Sequence, residues 1–245
     1  MNILLTGGSG KLGTAIRQSG LFPNLSAPSH QELDITNEDA VMRYMETNEF
    51  EGVIHTAALV SIEKCEKNPI EGITVNLGGT SNLVRAVLRK NPNLRFIHIS
   101  TDQLYGGKGG NHKETDPLIP YQKYGWTKLG AECSVNLLPN ACLVRTAFFV
   151  PDYIPFDESP DDMYSSKLPV AEVAKNIFFL YSSDITGPIN IGSPRMSSYE
   201  RFSKYKPSLK KISFRDVKNQ LDDVPIGVDT SLDSSKWNRW LAEHL

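Results

Sequence analysis

A tyrosine and a lysine stand four positions apart in the segment YGWTK, as Tyr124 and Lys128. On a helix, residues with this spacing project from the same face, so both side chains can act on one bound molecule. A free tyrosine has a pKa of about 10 and is a poor acid–base catalyst at neutral pH, but an ammonium group roughly 4 Å away stabilises the phenolate. The pair therefore predicts a proton-transfer site in which Lys128 brings the pKa of Tyr124 towards neutrality.

The segment LRFIHIST precedes this pair and indicates a buried strand that ends at Ser100 and Thr101. In a doubly wound sheet, ligands bind at the carboxyl ends of the parallel strands. An isolated tyrosine–lysine pair is more often a surface pair, so the prediction depends on this strand end. We expect the Thr101 hydroxyl to lie beside Tyr124 and Lys128 and to donate a second hydrogen bond to the same substrate oxygen.

A glycine-rich turn, TGGSGKLG, separates the strand-like segment NILLT from an amphipathic segment that begins at Lys11. Gly7 permits a tight turn, Gly10 lets backbone N–H groups approach a pyrophosphate, and Gly13 lets the helix pack close to the strand. The helix N-terminus adds a positive potential. Three glycines also occur in ordinary turns, but a strand before them and a helix after them predict a dinucleotide-binding turn.

The elements that must position these residues alternate along the chain. Short apolar runs are followed by helical patterns, which predicts an α/β fold with a Rossmann-type doubly wound parallel sheet and a small C-terminal substrate-binding part. We expect residues 1–150 to form a dinucleotide-binding domain. Residues 151–245 are expected to complete the sheet and to form the substrate-binding part, with residues 151–169 as a loop on the ligand-facing side.

Composition excludes several functional classes. The 245 residues carry a net charge of −2, which gives no electrostatic footprint for nucleic acid or an anionic membrane. There is no apolar run of membrane-spanning length and no N-terminal targeting pattern, so we expect a cytoplasmic protein.

The cysteines and histidines predict no metal site. Cys65, Cys133 and Cys142 are odd in number and widely spaced, which favours buried free thiols over a disulfide framework or a zinc site. His55 and His98 lie in apolar strand-like runs, where a hydrogen-bonded structural histidine is expected.

Together these motifs resemble the extended short-chain dehydrogenase/reductases, and within them the dTDP-4-dehydrorhamnose reductase family of nucleotide-sugar enzymes. The matching segments are TGGSGKLG, ELDIT, HTAALVSIEKCE, VNLGGTSNL, ISTDQLYGG, YGWTK and LVRT, followed later by NIGSPRMSSYE and DTSLDSSKW. The chain departs from the family after Phe149, where the family has a longer substrate-facing segment.

The resemblance implies a catalytic triad of Thr101, Tyr124 and Lys128. Tyr124 would protonate a carbonyl oxygen as hydride arrives from the nicotinamide, while Lys128 would also hold the nicotinamide ribose. Asp102 and Arg145 are implied beside the triad as substrate-binding residues, with scaffold roles as the alternative. The remaining implied cofactor contacts are Gly7, Gly10, Lys11, Leu12, Gly13, Asp34, Ile35, Ala57, Ala58, Leu59 and Asn76.

The resemblance implies NAD(P)H-dependent reduction of a 4-keto-6-deoxy nucleotide sugar in deoxysugar or polysaccharide biosynthesis. Glu32 and Asp34 come after the expected end of the second strand, where an NAD-binding fold usually has an acidic residue, so NADP(H) is favoured over NAD(H). A nucleotide-sugar epimerase or dehydratase is an alternative, and so is a non-catalytic NADP-binding regulatory subunit, which the shortened segment favours. The expected partners are the nucleotide sugar and a second copy of the chain.

Overall fold

The computed structural model of this protein describes residues 2–220 and 224–245. Short strands and helices alternate through most of the chain, as the apolar runs predict. The strands are β1 (Ile3–Thr6), β2 (Leu25–Ser26), β3 (Gly52–His55), β4 (Arg95–Ile99), β5 (Ala141–Thr146), β6 (Phe148–Phe149), β7 (Glu158–Pro160), β8 (Tyr164–Ser165), β9 (Leu168–Pro169), β10 (Gly187–Ile191), β11 (Met196–Ser197) and β12 (Lys210–Ile212).

Helices follow most of the longer strands. They are α1 (Lys11–Gln18), α2 (Glu38–Thr47), α3 (Ile62–Lys67), α4 (Pro69–Gly72), α5 (Thr80–Lys90), α6 (Lys123–Val135), α7 (Val170–Tyr181), α8 (Ser198–Phe202), α9 (Phe214–Gln220) and α10 (Ser235–His244). A π-helical segment, Ile73–Gly79, leads directly into α5, and a single 3₁₀ turn, Asp102–Leu104, follows β4.

Six strands form one parallel sheet in the order β2-β1-β3-β4-β5-β10. The chain starts at β1, adds β2 on one side and then crosses over to add the other strands on the opposite side. In open α/β sheets, ligands bind at the carboxyl ends of the strands where the order reverses. This arrangement confirms the predicted Rossmann-type α/β fold and places the crevice beside Thr6 and His55, the last residues of β1 and β3.

Both faces of the sheet are buried. Ile3 and Leu5 of β1 pack in one core together with residues of α1 and α7, whereas Leu4 packs in the opposite core with residues of α2 and α5. Strands buried on both faces are expected to be almost continuously apolar, as NILLT is. The sheet is therefore rigidly enclosed, and its carboxyl edge is the place where polar side chains can meet a ligand.

The segment after β6 is more regular than the sequence predicted. Residues 151–169 contain three short strands, in which β7 pairs with β12, β8 with β11 and β9 with β6. Each strand has two or three residues, too few for an alternating pattern to be visible in the sequence. The prediction of a loop was therefore wrong: this segment supplies strand partners for β6 before it and for β11 and β12 after it.

Within the part of the chain that the structure describes, no helix has both the length and the apolar character needed to cross a bilayer. In the same residues, no three His, Cys, Asp or Glu side chains come together in a way that could hold a metal ion. Cys65 and Cys142 are buried free thiols, but Cys133 is exposed. The expectation of burial was wrong for Cys133 because this position of α6 faces solvent.

Candidate active site

The glycine turn is held closely against the end of β3. Gly7 has a φ of +73°, and a Cβ atom at this position would lie 2.5 Å from the backbone nitrogen of Ala57. A Cβ atom on Gly13 would overlap the carbonyl oxygen of Gly7. Gly10 donates a backbone hydrogen bond to that same oxygen over 3.0 Å. The turn therefore needs glycine at Gly7 and Gly13 for close backbone approach, as the sequence predicted.

A cavity of about 430 Å³ extends from the N-terminus of α1 to the start of α6. It is lined by Gly10, Lys11, Leu12, Gly13, Thr56, Ala58, Val60, Ile99, Ser100, Thr101, Tyr124, Lys128, Thr146, Ala147 and Phe148. We call it the main cavity.

A second space of about 270 Å³ lies on the β2 side of the glycine turn. It shares Gly10, Thr56 and Ala58 with the main cavity, and we call it the β2-side cavity. Its lining residues are Gly7, Ser9, Gly10, His30, Asp34, Ile35, Thr36, Thr56, Ala57, Ala58 and Val75. Two cavities that meet at a glycine turn suit an elongated ligand with a pyrophosphate at its centre.

Thr101, Tyr124 and Lys128 all line the main cavity. Each is buried, and Lys128 is only 2% exposed. Its Nζ donates a hydrogen bond to the carbonyl oxygen of Ile99 over 2.8 Å and lies 3.3 Å from Nε2 of His98. An ammonium group has three N–H donors, so one of them is left for a group in the cavity.

Burial has the largest effect on the phenol of Tyr124. Loss of solvent raises the pKa of Tyr124 above its ordinary value, a hydrogen bond with the Thr101 hydroxyl lowers it in part, and the charge of Asp102 raises it. The expectation that Lys128 would bring this pKa towards neutrality was wrong, because desolvation of the phenolate is the largest cause of the shift and Lys128 is not among the groups that lower the pKa. Tyr124 is therefore protonated at neutral pH, which is the form that can donate a proton.

Lys128 lies near two buried histidines, His55 and His98, and burial lowers the pKa of all three groups. Burial lowers the pKa of Lys128 to about 8, although Glu132 raises it in part. Burial, followed by the charge of Lys128, lowers the pKa of His55 to about 3 and that of His98 well below its usual value. His98 is therefore neutral, and its Nε2 can accept a hydrogen bond from Lys128.

His55 is a hydrogen-bonded structural residue, as predicted. Its Nδ1 lies 2.6 Å from the Thr6 hydroxyl and its Nε2 lies 2.9 Å from the Thr80 hydroxyl. His98 contacts Lys128 through Nε2, but its buried Nδ1 has no hydrogen-bond partner among the described residues.

Asn76 fixes the backbone that follows β3. Its Oδ1 accepts a hydrogen bond from the Leu59 nitrogen over 2.7 Å, and its Nδ2 donates to the Leu59 oxygen over 3.1 Å and to the Thr127 hydroxyl over 2.9 Å. Neither Asn76 nor Leu59 lines the two cavities, whereas Ala58 does. The structure therefore gives both residues an indirect position, in which they hold the cavity wall.

Asp102 does not line the main cavity. Its carboxylate accepts hydrogen bonds from the Thr101 hydroxyl over 3.2 Å, from Nε2 of Gln103 over 2.6 Å and from the Thr230 hydroxyl over 2.7 Å. Burial raises the pKa of Asp102 although all three hydrogen bonds oppose this change. Its contact with Thr101 makes it a positioning residue for that hydroxyl.

Arg145 does not line the main cavity or the β2-side cavity. Its Nε and Nη2 donate to the Glu132 carboxylate over 3.1 and 2.8 Å. Its Nη1 donates to the Tyr105 hydroxyl over 3.0 Å and to the Glu114 carbonyl oxygen over 3.2 Å. A buried guanidinium needs such partners, and these contacts match the scaffold role that was the alternative for Arg145.

Several cavity residues were given no site role by the sequence, although Ser100 was placed with Thr101 at the end of its strand. The buried hydroxyls of Ser100 and Thr146 line the main cavity and have no hydrogen-bond partner among the described residues. Thr146 is the last residue of β5, and Phe148, which also lines the main cavity, follows two residues later. The rule that strand ends meet the ligand, which identified Thr101, could therefore have identified Thr146 and Phe148. His30 in the β2-side cavity follows β2 at some distance and carried no comparable signal.

Residues 1–153 match the family model described as the RmlD substrate binding domain. Curated relatives include the dTDP-4-dehydrorhamnose reductase of Aggregatibacter actinomycetemcomitans, 32% identical over 157 residues that cover 62% of this chain and 52% of that protein. The enzyme of the same name from Mycolicibacterium smegmatis is 33% identical over 151 residues, which cover 60% and 45%. The chain spans about half the length of the curated relatives it matches.

Solved structures resemble the whole chain. A dTDP-4-dehydrorhamnose reductase from Clostridium acetobutylicum has a TM-score of 0.87 at 23% identity and covers 100% of this chain and 98% of its own. One from Bacillus anthracis, in complex with NADP, has a TM-score of 0.86 at 19% identity and covers 98% and 92%. These likenesses show the fold. The matched family model includes the glycine turn, Thr101, Tyr124 and Lys128, and we conclude that this chain belongs to the RmlD substrate binding domain family.

Proposed function

We propose that the chain is an NADP(H)-dependent reductase of a 4-keto-6-deoxy nucleotide sugar of the dTDP-4-dehydrorhamnose type, acting in deoxysugar biosynthesis. The observation that carries this proposal is that Thr101, Tyr124 and Lys128 line one cavity together with the glycine turn. The relatives named dTDP-4-dehydrorhamnose reductase support the substrate class.

The main cavity fits a dinucleotide. Gly7 and Gly13 let the turn pack closely on the backbone of Ala57 and on the Gly7 carbonyl oxygen, and the N-terminus of α1 directs backbone N–H groups towards a pyrophosphate. The unpartnered hydroxyls of Ser100 and Thr146 are ready to bond a ligand in the same cavity. Lys11 and Leu12 would stand beside the pyrophosphate, while Ile35 and Ala57 line the cavity proposed for the adenosine half. A bound reduced nicotinamide supplies the hydride.

The chain's own residues supply the proton. Tyr124, which burial keeps protonated, donates its phenolic proton to the carbonyl oxygen of the sugar. The single proton of the Thr101 hydroxyl goes to Asp102 in this structure, so the hydroxyl would turn to donate to the same oxygen, and the remaining N–H of Lys128 would hold a ribose hydroxyl of the cofactor. Asn76 and Asp102 act through their neighbours Leu59 and Thr101.

The acidic residues near β2 favour NADP(H) over NAD(H). The Glu32 carboxylate accepts a hydrogen bond from the Ser29 nitrogen over 2.7 Å, and Asp34 Oδ1 accepts from the nitrogen and the hydroxyl of Thr36 over 2.9 and 2.8 Å. Both carboxylates thus bond local groups, which makes them poorer partners for ribose hydroxyls. His30 lines the β2-side cavity together with Asp34 and can approach a 2′-phosphate there.

We also propose that the protein forms a homodimer, that it is cytoplasmic, and that the chain divides near residue 150 into a cofactor-binding part and a substrate-binding part. Exposed apolar side chains at Ile70, Ile73 and Trp126 support pairing between copies of the chain. The free thiols support a reducing compartment. In the proposed division, residues 1–150 bind the cofactor, and residues 151–245 complete the sheet and form the substrate-binding part.

The test is turnover of purified protein with dTDP-4-dehydrorhamnose and NADPH or NADH, followed by loss of cofactor absorbance and by chromatography of the sugar product. We expect one reduced sugar for each NADPH consumed, and a preference of about tenfold or more for NADPH. An isomerised or dehydrated sugar without net cofactor oxidation would identify an epimerase or dehydratase instead. Dinucleotide binding with no change in the sugar would contradict the proposal and favour a regulatory subunit.

A further inference from the structure

The end of β4 holds the side chain of Lys128 at two points. Its Nζ donates to the Ile99 carbonyl oxygen over 2.8 Å and lies 3.3 Å from Nε2 of His98. Successive side chains of a strand point to opposite faces of the sheet, so Phe96 and His98 share one face. Phe96 packs there in the same core as Val135 of α6. The alternation along β4 therefore directs the imidazole of His98 towards the helix that carries Lys128.

His98 differs from its neighbour on the adjacent strand. His55 of β3 is paired with His98 of β4, and both side chains are no more than 1% exposed. The two ring nitrogens of His55 lie within hydrogen-bond distance of the hydroxyls of Thr6 and Thr80. Among the described residues, the ring of His98 has one hydrogen-bond partner, which is Lys128. Since buried polar groups are normally satisfied, this single contact needs an explanation other than a purely structural one.

Glu132 stands one helical turn after Lys128, but its carboxylate is held elsewhere. Its Oε1 and Oε2 accept hydrogen bonds from Nε and Nη2 of Arg145 over 3.1 and 2.8 Å. The charge of Glu132 raises the pKa of Lys128 in part, without a hydrogen bond between the two side chains in the described structure. Of the side chains that the structure describes, His98 alone hydrogen-bonds the ammonium group of Lys128.

The contact with His98 limits where the ammonium group can point. Two of its three N–H groups are taken by His98 and the Ile99 carbonyl oxygen, which leaves the third for the main cavity. Burial, followed by the charges of Lys128 and His55, keeps the pKa of His98 well below its usual value. A neutral imidazole that carries its hydrogen on Nδ1 has Nε2 free to accept. Such an acceptor stabilises the ammonium form of Lys128 over the amine.

We propose that His98 is a positioning residue for Lys128, whose Nε2 accepts a hydrogen bond from the ammonium group and so directs the remaining N–H into the main cavity. This inference rests on the proposed function, because that N–H is the one proposed to hold the cofactor ribose. The contact itself requires no ligand, so it can be tested separately from the reaction.

The first test is the pH dependence of NADPH affinity, measured by fluorescence titration of the full chain without any sugar. We expect the wild-type affinity to fall above about pH 8, as Lys128 loses its charge. In His98→Leu the midpoint of this fall should move to lower pH by about one unit or more, because a hydrogen bond to a charged group is lost. His98→Gln places an amide oxygen near the position of Nε2 and should restore the wild-type midpoint.

The matched control is His55→Leu, which removes an equally buried imidazole from the neighbouring strand. It should lower the thermal stability as His98→Leu does, but leave the midpoint where it is in the wild type. The same midpoint in His98→Leu and the wild type would overturn the positioning role. If His98→Leu fails to fold, His98→Asn is the substitute, since it is polar but too short to reach Nζ. Its midpoint should also move to lower pH, and an unchanged one counts against the proposal.

The second test reads the contact directly, by long-range ¹H–¹⁵N spectra of the histidine rings. We expect His98 to carry its hydrogen on Nδ1, and its Nε2 resonance to shift in Lys128→Met. Lys123→Met, at an exposed position of the same helix, should leave that resonance unchanged. A hydrogen on Nε2 of His98, or an Nε2 resonance that is the same in Lys128→Met and the wild type, would overturn the proposal.

These readouts separate the positioning role from the proposed reaction. If NADPH does not bind, the proposed function fails and the ring spectra still decide the role of His98. A midpoint and a ring resonance that depend on the contact, without any sugar reduction, support the positioning role while the proposed reaction fails. Sugar reduction with the same alkaline fall of kcat/KM in His98→Leu and the wild type removes the positioning role alone.

Discussion

The hydroxyl of Thr230 donates a hydrogen bond over 2.7 Å to the carboxylate of Asp102, a residue 128 positions earlier in the chain. The other oxygen of Asp102 accepts from the Thr101 hydroxyl. One buried carboxylate therefore joins the strand end that carries Thr101 to the C-terminal region. A change near Thr230 can alter the orientation of a hydroxyl in the main cavity without touching a ligand.

Replacing Asp102 by asparagine tests this connection. The amide keeps the size of the side chain but has a single oxygen to accept the hydrogen bonds of Thr101 and Thr230. We expect kcat to fall about ten- to a hundredfold, since small displacements of catalytic groups have effects of this size, while dinucleotide affinity is unchanged. Steady-state kinetics and fluorescence titration measure the two quantities. Thr230→Val should show a smaller fall, and an unchanged kcat in Asp102→Asn would contradict the positioning role.

The pH dependence of the proposed reaction should report Lys128. Its pKa is lowered to about 8, so the ammonium is present below that pH and is lost as the pH rises through it. The raised pKa of Tyr124 keeps the phenol protonated over the same range. We expect kcat/KM to fall above about pH 8, and the fall to move to higher pH in Lys128→Arg. A pH–rate profile that stays flat in the alkaline range contradicts this assignment.

The backbone contact at Gly13 predicts a sharp effect of one methyl group. Gly13→Ala would place a Cβ atom on the Gly7 carbonyl oxygen, so the turn must shift. We expect dinucleotide affinity to fall at least about tenfold, as measured by titration with NADPH. The control is Gly78→Ala, whose Cβ would lie 3.6 Å from its nearest neighbour, the Ile73 carbonyl oxygen. Equal affinities in the two variants would show that the turn tolerates a side chain.

The buried neutral His55 should make the protein sensitive to acid. Its pKa is about 3 in the folded state and 6.5 in a free side chain. Between these two pH values, His55 is protonated in the unfolded chain but neutral in the folded chain. As the pH falls from 6.5 towards about 3, the free energy of unfolding should fall by about 1.4 kcal/mol for each pH unit. His98, whose pKa is also lowered, adds to this loss.

Urea unfolding at several pH values measures this effect. His55→Gln should reduce the slope of stability against pH by about one proton, whereas His30→Gln, at an exposed position, should leave it unchanged. The same slope in His55→Gln and the wild type would show that His55 binds its proton in the folded state.

Local spacing was sufficient to predict much of the site. The glycine turn depends on residues within one turn of chain, and Tyr124 and Lys128 stand one helical turn apart. Thr101 follows from the rule that strand ends meet at one edge of the sheet. Each of these predictions uses a short-range pattern, and the structure brings Gly10, Gly13, Thr101, Tyr124 and Lys128 to the main cavity.

Features that depend on distant contacts could not be predicted. Arg145 pairs with Glu132 on the neighbouring helix, and Asn76 bonds Leu59 across 17 positions. Neither relationship has a sequence pattern. The direction of the pKa shift of Tyr124 also depends on burial, which the spacing of residues does not reveal. The short strands of residues 151–169 exist only through their pairing with distant segments.

The most direct test of the account is the rate of NADPH-dependent reduction of dTDP-4-dehydrorhamnose by wild type and Tyr124→Phe. We expect kcat to fall about 10²- to 10⁴-fold in the variant because the proton donor is removed, with NADPH affinity unchanged. Tyr44→Phe, which removes a hydroxyl bonded to Ser26 outside the site, should leave kcat unchanged. Equal reduction by Tyr124→Phe and wild type would contradict the central claim that Tyr124 protonates the substrate.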